Sequence, residues 1–289
     1  MAARGVFFLG DQPQQSMHGA LEISNLGVSF NLGRTDENRV LQGFELSVQP
    51  GEVVGLVGES GSGKTVLALS ILGLLPLTAT VFSGSIEWNG RNLLALQASE
   101  LRTVRGKEIA MIFQDPQACL NPVFSVGTQL MWLLRMHRGL RGKAARAEAI
   151  ALLEAVQLRD PQRCFAAYAH HLSGGMAQRV MIAMALACKP ALLIADEPTS
   201  ALDVTTQAEI LQLILRAKRE TGMSLLLISH DLALVARLAD RVAVLNNGCV
   251  IECGLAADVL RYPRHPYTQR LVEAARLHSL DGSRVADTT

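Results

Sequence analysis

Val53-Val54-Gly55-Leu56-Val57-Gly58-Glu59-Ser60-Gly61-Ser62-Gly63-Lys64-Thr65 decides the fold. Its first five residues lack any polar side chain, as a strand buried on both faces of a parallel sheet must. A glycine-rich loop ending in Lys-Thr follows, and an apolar helical stretch begins at Val66. Strand, loop and helix in that order are the setting of a P-loop. The glycines let backbone N–H groups crowd around phosphate oxygens, and the helix points its positive dipole end at the anion. Gly58, Glu59, Ser60, Gly61, Ser62, Gly63, Lys64 and Thr65 are therefore the candidate nucleotide-binding residues. Lys64 would reach the β- and γ-phosphates, and Thr65 would offer its hydroxyl to Mg²⁺.

A second phosphate-binding element lies more than a hundred residues later, at Leu172-Ser173-Gly174-Gly175-Met176-Ala177-Gln178. Ser173, Gly174 and Gly175 open a helix, so the backbone N–H groups and the serine hydroxyl form an anion site by the same dipole logic. The chain thus offers two separate candidate anion-binding elements.

Outward from these motifs, short apolar runs alternate with helical stretches, which predicts an α/β fold with a mostly parallel sheet. Further strands are expected at residues 109–113, 191–195, 224–228 and 242–245. Asn247-Gly248 should turn the last into a hairpin with Val250-Ile251-Glu252. Residues 21–23, 44–48 and 86–88 alternate apolar with polar, as half-buried antiparallel strands do. Between Asp115 and about Lys189 the strand signal vanishes, and helices are expected at 143–158 and 174–188, so a helical subdomain over about 115–189 is read as an insertion. The expected organisation is an N-terminal tail over 1–20, one domain over 21–275 and a polar C-terminal tail over 276–289. Met17 is a candidate start.

Composition limits the function classes. The chain has 289 residues, of which 49% are apolar and 18% charged, so it is globular. A net charge of +1 argues against an electrostatic nucleic-acid binder. Cys119, Cys164, Cys188, Cys249 and Cys253 are scattered and odd in number, the pattern of reduced cytosolic thiols. Val6-Phe7-Phe8-Leu9 is too short for a signal-peptide core. The charge-free run from Val66 to Phe82 approaches a membrane span in length, but Pro76 and the preceding P-loop favour a helix buried against the sheet. Any membrane attachment is then expected to come through partners.

Single residues complete the picture. Asp196-Glu197 ends a strand at the sheet's carboxyl edge, where ligands bind in such folds. Asp196 there can hold Mg²⁺, and Glu197 can polarise an attacking water; the competing reading is a helix cap. His230 follows a strand and can meet the γ-phosphate; Gln114 ends another and can touch Mg²⁺ or water. Phe30 can stack on adenine or serve in the core. His137, His170 and His171 have no carboxylate or Cys at ligand spacing and read as ordinary subdomain contacts.

The ordered set Gly58 to Thr65, Gln114, Leu172 to Gln178, Leu192 to Glu197, Ser200-Ala201-Leu202-Asp203 and His230 resembles the ATP-binding subunit of an ABC transporter. Phe113-Gln114-Asp115-Pro116, Leu120-Asn121-Pro122 and Arg264-His265-Pro266-Tyr267-Thr268 resemble the importers of dipeptides, oligopeptides and nickel. The resemblance implies an ABC ATPase fold: a P-loop NTPase with a mostly parallel core sheet, an antiparallel β subdomain and an inserted helical subdomain. It implies ATP and Mg²⁺, with Glu197 as base, His230 as γ-phosphate switch, and Thr65, Gln114 and Asp196 around the metal. Ser173 and Gly175 would bind the ATP held by the opposite subunit, and Asp203 would cross the dimer interface. The implied partners are a second ATPase subunit, two transmembrane permease subunits and, indirectly, an extracytoplasmic solute-binding protein, with no nucleic acid. The implied location is peripheral, on the cytoplasmic face of the inner membrane.

The chain departs from the family's pattern at Phe30, where many relatives carry Tyr, and after Cys253, where many peptide-importer subunits have a Cys-containing tail. The latter resembles the nickel and metal-chelate members. Rival readings fare worse. DNA-repair ATPases of this type insert coiled coils between the phosphate motifs, and no heptads stand there. Ribosome-acting types usually hold two cassettes, and a nucleotide kinase would lack the Ser-Gly-Gly turn and His230.

Overall fold

A computed structural model describes residues 20–30, 38–200 and 202–285. The elements run β1 (Leu21–Phe30), β2 (Asn38–Val48), β3 (Val53–Val57), α1 (Lys64–Ile71), β4 (Ala79–Trp88), β5 (Arg91–Asn92), α2 (Ala98–Val104) and β6 (Ile109–Ile112). Next come α3 (Pro116–Cys119), α4 (Val126–Arg138), α5 (Gly142–Ala155), α6 (Pro161–Ala166), α7 (Gly174–Leu186), β7 (Leu192–Asp196) and α8 (Val204–Thr221). The chain continues through β8 (Ser224–Ile228), α9 (Leu232–Leu238), β9 (Arg241–Asn246), β10 (Cys249–Leu255), α10 (Ala256–Arg261) and α11 (Pro266–Val285). Two units result: Ala20–Gln97 with the chain from Leu225 onward, and Ala98–Ser224.

The first unit holds the P-loop. β3 lies between β8 and β9, parallel to both, and all five of its residues are buried. Helices on both faces of a parallel strand demand this all-apolar composition. α9 packs so closely on β3 that a side chain at Gly55 would place its Cβ 2.3 Å from Val235 Cγ1. β9 turns back through Asn247-Gly248, both at positive φ, into antiparallel β10, the hairpin that Asn-Gly predicts. In the antiparallel sheet β2-β1-β4-β5, Phe44, Ile86 and Trp88 are fully buried. Alternation in β2 and β4 follows from one face being wet.

The second unit pairs β6 with β7 in parallel, Ile109 opposite Leu192. Several of its helices start on polar caps. Ser125 accepts the Thr128 N–H and Asp160 the Arg163 N–H; Gly139 and Gly222 close α4 and α8 in the left-handed conformation. The helical stretch expected at about 115–189 lies within this unit as α3 to α7.

One expectation needs correction. The run Val66–Phe82 is not one buried helix. α1 stops at Ile71, where Gly73 at φ 59° and then Pro76 end it; Leu77 is wholly exposed and Phe82 lies half-exposed on β4. No helix among the described residues is long and apolar enough to cross a membrane. At the other end, backbone helix α11 continues to Val285, well into the segment read as a polar tail. Polar composition and helix are compatible, since Arg, Glu, Leu and Ala all favour helix. Residues 1–19, with the candidate start Met17, lie outside the described residues.

Candidate functional site

In the first unit the P-loop is shaped by close approach. A Cβ on Gly58 would stand 2.3 Å from the Leu245 carbonyl oxygen, so only glycine fits. Gly63, at φ 108°, turns the loop into α1 in a conformation other residues rarely adopt. Lys64 is buried and donates from Nζ to the Gly58 and Glu59 carbonyl oxygens, each at 2.8 Å. The ammonium is thus drawn inside the curl of the loop. Ser62 donates its N–H to the Glu59 oxygen at 3.2 Å, while its buried hydroxyl has no partner among the described residues. A buried hydroxyl without a protein partner suits a phosphate oxygen. Ser60, Gly61 and Thr65 are exposed around the cradle.

His230 is exposed and follows β8, whose Ile228 pairs with Leu56 of β3; the Ser229 N–H donates to the Leu56 oxygen at 3.2 Å. The histidine therefore leaves the sheet at the edge where β3 enters the P-loop. Asp231 caps α9, accepting the Leu234 N–H at 3.0 Å, which fixes the backbone just after His230. Phe30 ends β1, half-buried, paired with Asn38 and Ala79.

The second unit gathers a carboxylate site. Asp196, 1% exposed, ends β7. Glu197 follows at φ 46°, the left-handed region that a Glu adopts only under constraint. Its carbonyl accepts from the Ser200 N–H at 3.3 Å and the Ser200 hydroxyl at 3.2 Å. Its carboxylate accepts from Gln114 Nε2 at 3.0 Å. The helix-cap reading of Asp196-Glu197 fails, because the next helix begins at Val204 under a different cap. A cavity of about 210 Å³ lies against Gln114, Gln178, Glu197, Pro198 and Gly174.

The Ser173-Gly174-Gly175 turn opens α7. Ser173 Oγ accepts the Met176 N–H at 3.3 Å, and a Cβ at Gly175 would sit 3.3 Å from Thr206 Cγ2. Asp203 is the exposed cap of α8. It accepts the Thr206 N–H at 3.0 Å and the Thr206 hydroxyl at 2.7 Å, and chiefly the backbone bond holds its carboxyl below the usual range.

Three side chains here had no assigned role from sequence. Gln178, 3% exposed, donates to the Pro198 oxygen at 2.6 Å and ties α7 to the loop after Glu197. Gln207 Nε2 donates to the Thr199 and Leu202 oxygens at 3.0 and 3.1 Å, bracing the same loop from α8. Tyr267 accepts the Glu59 N–H in the P-loop at 3.1 Å. Gln178 closes the quoted Ser-Gly-Gly motif and Tyr267 stands in the quoted His-Pro-Tyr-Thr run, so both carried a signal. Gln207 carried none. His170 stacks on Tyr168 and His171 meets it edge-on, and His137 lies near Gly106, its imidazole pushed below its usual range by burial and then by Lys107.

Known proteins share this sequence and fold. A family profile described as ABC transporter matches residues 41–200. The chain is 47% identical over 269 residues to the dipeptide transport ATP-binding protein DppD of Escherichia coli, covering 92% of this chain and 81% of that one. It is 46% identical over 270 residues to the protein of the same name from Haemophilus influenzae, covering 91% and 82%. Among solved structures, the ATP-binding cassette MJ0796, a dimer in a post-hydrolysis state bound to ADP and Pi, superposes with a TM-score of 0.73 at 28% identity, covering 82% of this chain and 98% of that one. On this evidence the chain belongs to the ABC transporter family as an ATP-binding, ATP-hydrolysing subunit with the ABC ATPase fold.

Proposed function

We propose that this subunit powers import of peptides across the cytoplasmic membrane, working beneath permease subunits that it contacts from the cytoplasmic face. The supporting observation is 47% identity, over 92% of the chain, to a protein named for dipeptide transport. Nickel or metal chelates are the alternative cargo of the same family. Action on ribosomes or DNA draws no support from these relatives.

In the proposed cycle two cassettes close on two ATP molecules. The backbone N–H groups of residues 58–65 and the Lys64 ammonium bind the phosphates of one. Ser173, Gly174 and Gly175 complete the site of the partner cassette through the start of α7. The Thr65 hydroxyl, the Asp196 carboxylate and the Gln114 amide would be the donors to Mg²⁺, and hard oxygens of this kind suit that ion. Bound there, Mg²⁺ would neutralise charge on the phosphates. Glu197 takes a proton from the attacking water, and His230 holds the γ-phosphate side of the site. Phe30 packs against the adenine. Gln114, bonded to Glu197, ties the base to the segment that leads into α3. Asp203 sits at the surface where the second cassette approaches.

The experiment is reconstitution in liposomes with the permease subunits and solute-binding protein of a dipeptide importer from the same cell. Dipeptides should stimulate ATP hydrolysis and enter the vesicles. Stimulation by Ni²⁺ chelates with no response to peptides would reassign the cargo, and failure to associate with any permease would overturn the importer reading.

A further inference from the structure

The P-loop is held at a second point by a residue 208 positions away in sequence. Tyr267, in the first turn of α11 and 6% exposed, accepts the Glu59 N–H at 3.1 Å. That N–H belongs to the same peptide unit as the Gly58 carbonyl, which accepts from Lys64 Nζ at 2.8 Å. A trans peptide is planar, with N–H and C=O pointing opposite ways. Fixing one end therefore fixes the direction in which the other meets the ammonium.

Tyr267 is itself anchored. Glu252 on β10 accepts the N–H groups of Arg264 and His265 at 2.9 and 3.0 Å, just before α11 begins. The Tyr267 N–H donates to His265 Nδ1 at 3.1 Å. β10 pairs with β9, β9 pairs with β3, and β3 runs into the P-loop. The contacts close a ring that leaves the loop through Tyr267 and returns to it through the sheet. Burial works against charge on Glu252, but the Arg264 N–H and its companion donors hold that carboxyl below its usual range. Burial chiefly pushes the Tyr267 hydroxyl up, so it stays protonated near neutral pH.

We infer that Tyr267 is a positioning residue for Lys64, setting the tilt of the Gly58–Glu59 peptide and with it the place where the ammonium meets the nucleotide's phosphates. The inference rests on the P-loop binding MgATP. Tyr267→Phe removes the hydroxyl and keeps the ring. It should raise KM for MgATP about three- to tenfold, with kcat changed less than about twofold and thermal melting unaltered. Glu252→Ala should raise KM in the same direction, and the double variant should be no worse than the more impaired single, because both act through one chain of contacts. KM for Tyr267→Phe within about twofold of wild type, a loss confined to kcat, or full additivity in the double variant would each overturn the inference. Direct titration of the wild-type chain with a fluorescent ATP analogue separates the two claims: no binding there would count against the P-loop reading, and normal binding with an unaffected Tyr267→Phe would count against Tyr267 alone.

Discussion

The two units hold their functional groups in different ways. Around the P-loop the work falls to backbone: peptide carbonyls grip Lys64, a Cβ on Gly58 would stand 2.3 Å from a carbonyl oxygen, and paired strands fix the edge from which His230 emerges. Around Glu197 it falls to side chains: Gln114 on its carboxylate, Ser200 on its carbonyl, and Gln178 and Gln207 on the loop beyond. A backbone cradle tolerates many substitutions outside its glycines and its Lys. A side-chain lattice around one residue at positive φ concentrates its sensitivity in a few amides. It is also the arrangement that can rearrange when charge changes, since each amide has one or two contacts to exchange.

The largest expected effect breaks the backbone side. Lys64→Ala should lower kcat/KM for MgATP by about a thousandfold, because it removes the charge that offsets the phosphates where little covalent help is available; a steady-state phosphate-release assay measures it, and an active variant sinks the assignment. The side-chain lattice comes next. Gln178→Leu strips the Pro198 carbonyl of a buried donor, at a cost of about 1–3 kcal/mol. Turnover should fall about tenfold with KM nearly unchanged; unaltered turnover would mean that the loop after Glu197 needs no brace from α7. Asp203→Ala should lower the melting temperature slightly by uncapping α8, whereas Asp203→Asn keeps the cap. If Asp203→Asn still impairs ATP-driven dimerisation, the aspartate acts across the interface as well as along its own helix.

The smallest effect concerns pH. Glu252 has a depressed pKa in the folded chain, so its contribution is fully present above the ordinary value of 4.5 and is lost as pH falls below that through the folded value. Acid melting curves of wild type and Glu252→Gln should therefore coincide at low pH, separate as pH rises toward 4.5, and stay apart by a constant amount above it. Parallel curves across that window would remove Glu252 from the anchoring ring.

The same contrast explains what could be read from sequence. The strand before the P-loop, its glycines, the Asn247-Gly248 hairpin and the start of α7 are local, and spacing alone exposes them. Gln178 to Pro198, Gln207 to Thr199 and Tyr267 to Glu59 join side chains to distant backbone, and no periodicity announces such a bond. The Val66–Phe82 run misled because absence of charge marks a buried helix and an exposed apolar edge equally well. Only Gly73 and Pro76 tell them apart. Glu197 was legible as a carboxylate at a strand end, but its left-handed backbone was not, because a Glu in that conformation is set by its surroundings.

In the proposed cycle Lys64 holds ATP and Glu197 cleaves it. Single-turnover hydrolysis of γ-labelled ATP by Glu197→Gln tests this most directly. The account predicts normal nucleotide binding, cleavage slowed by about a hundredfold or more, and a dimer that persists while the ATP stays intact. Cleavage at the wild-type rate, or failure to bind ATP at all, would contradict it.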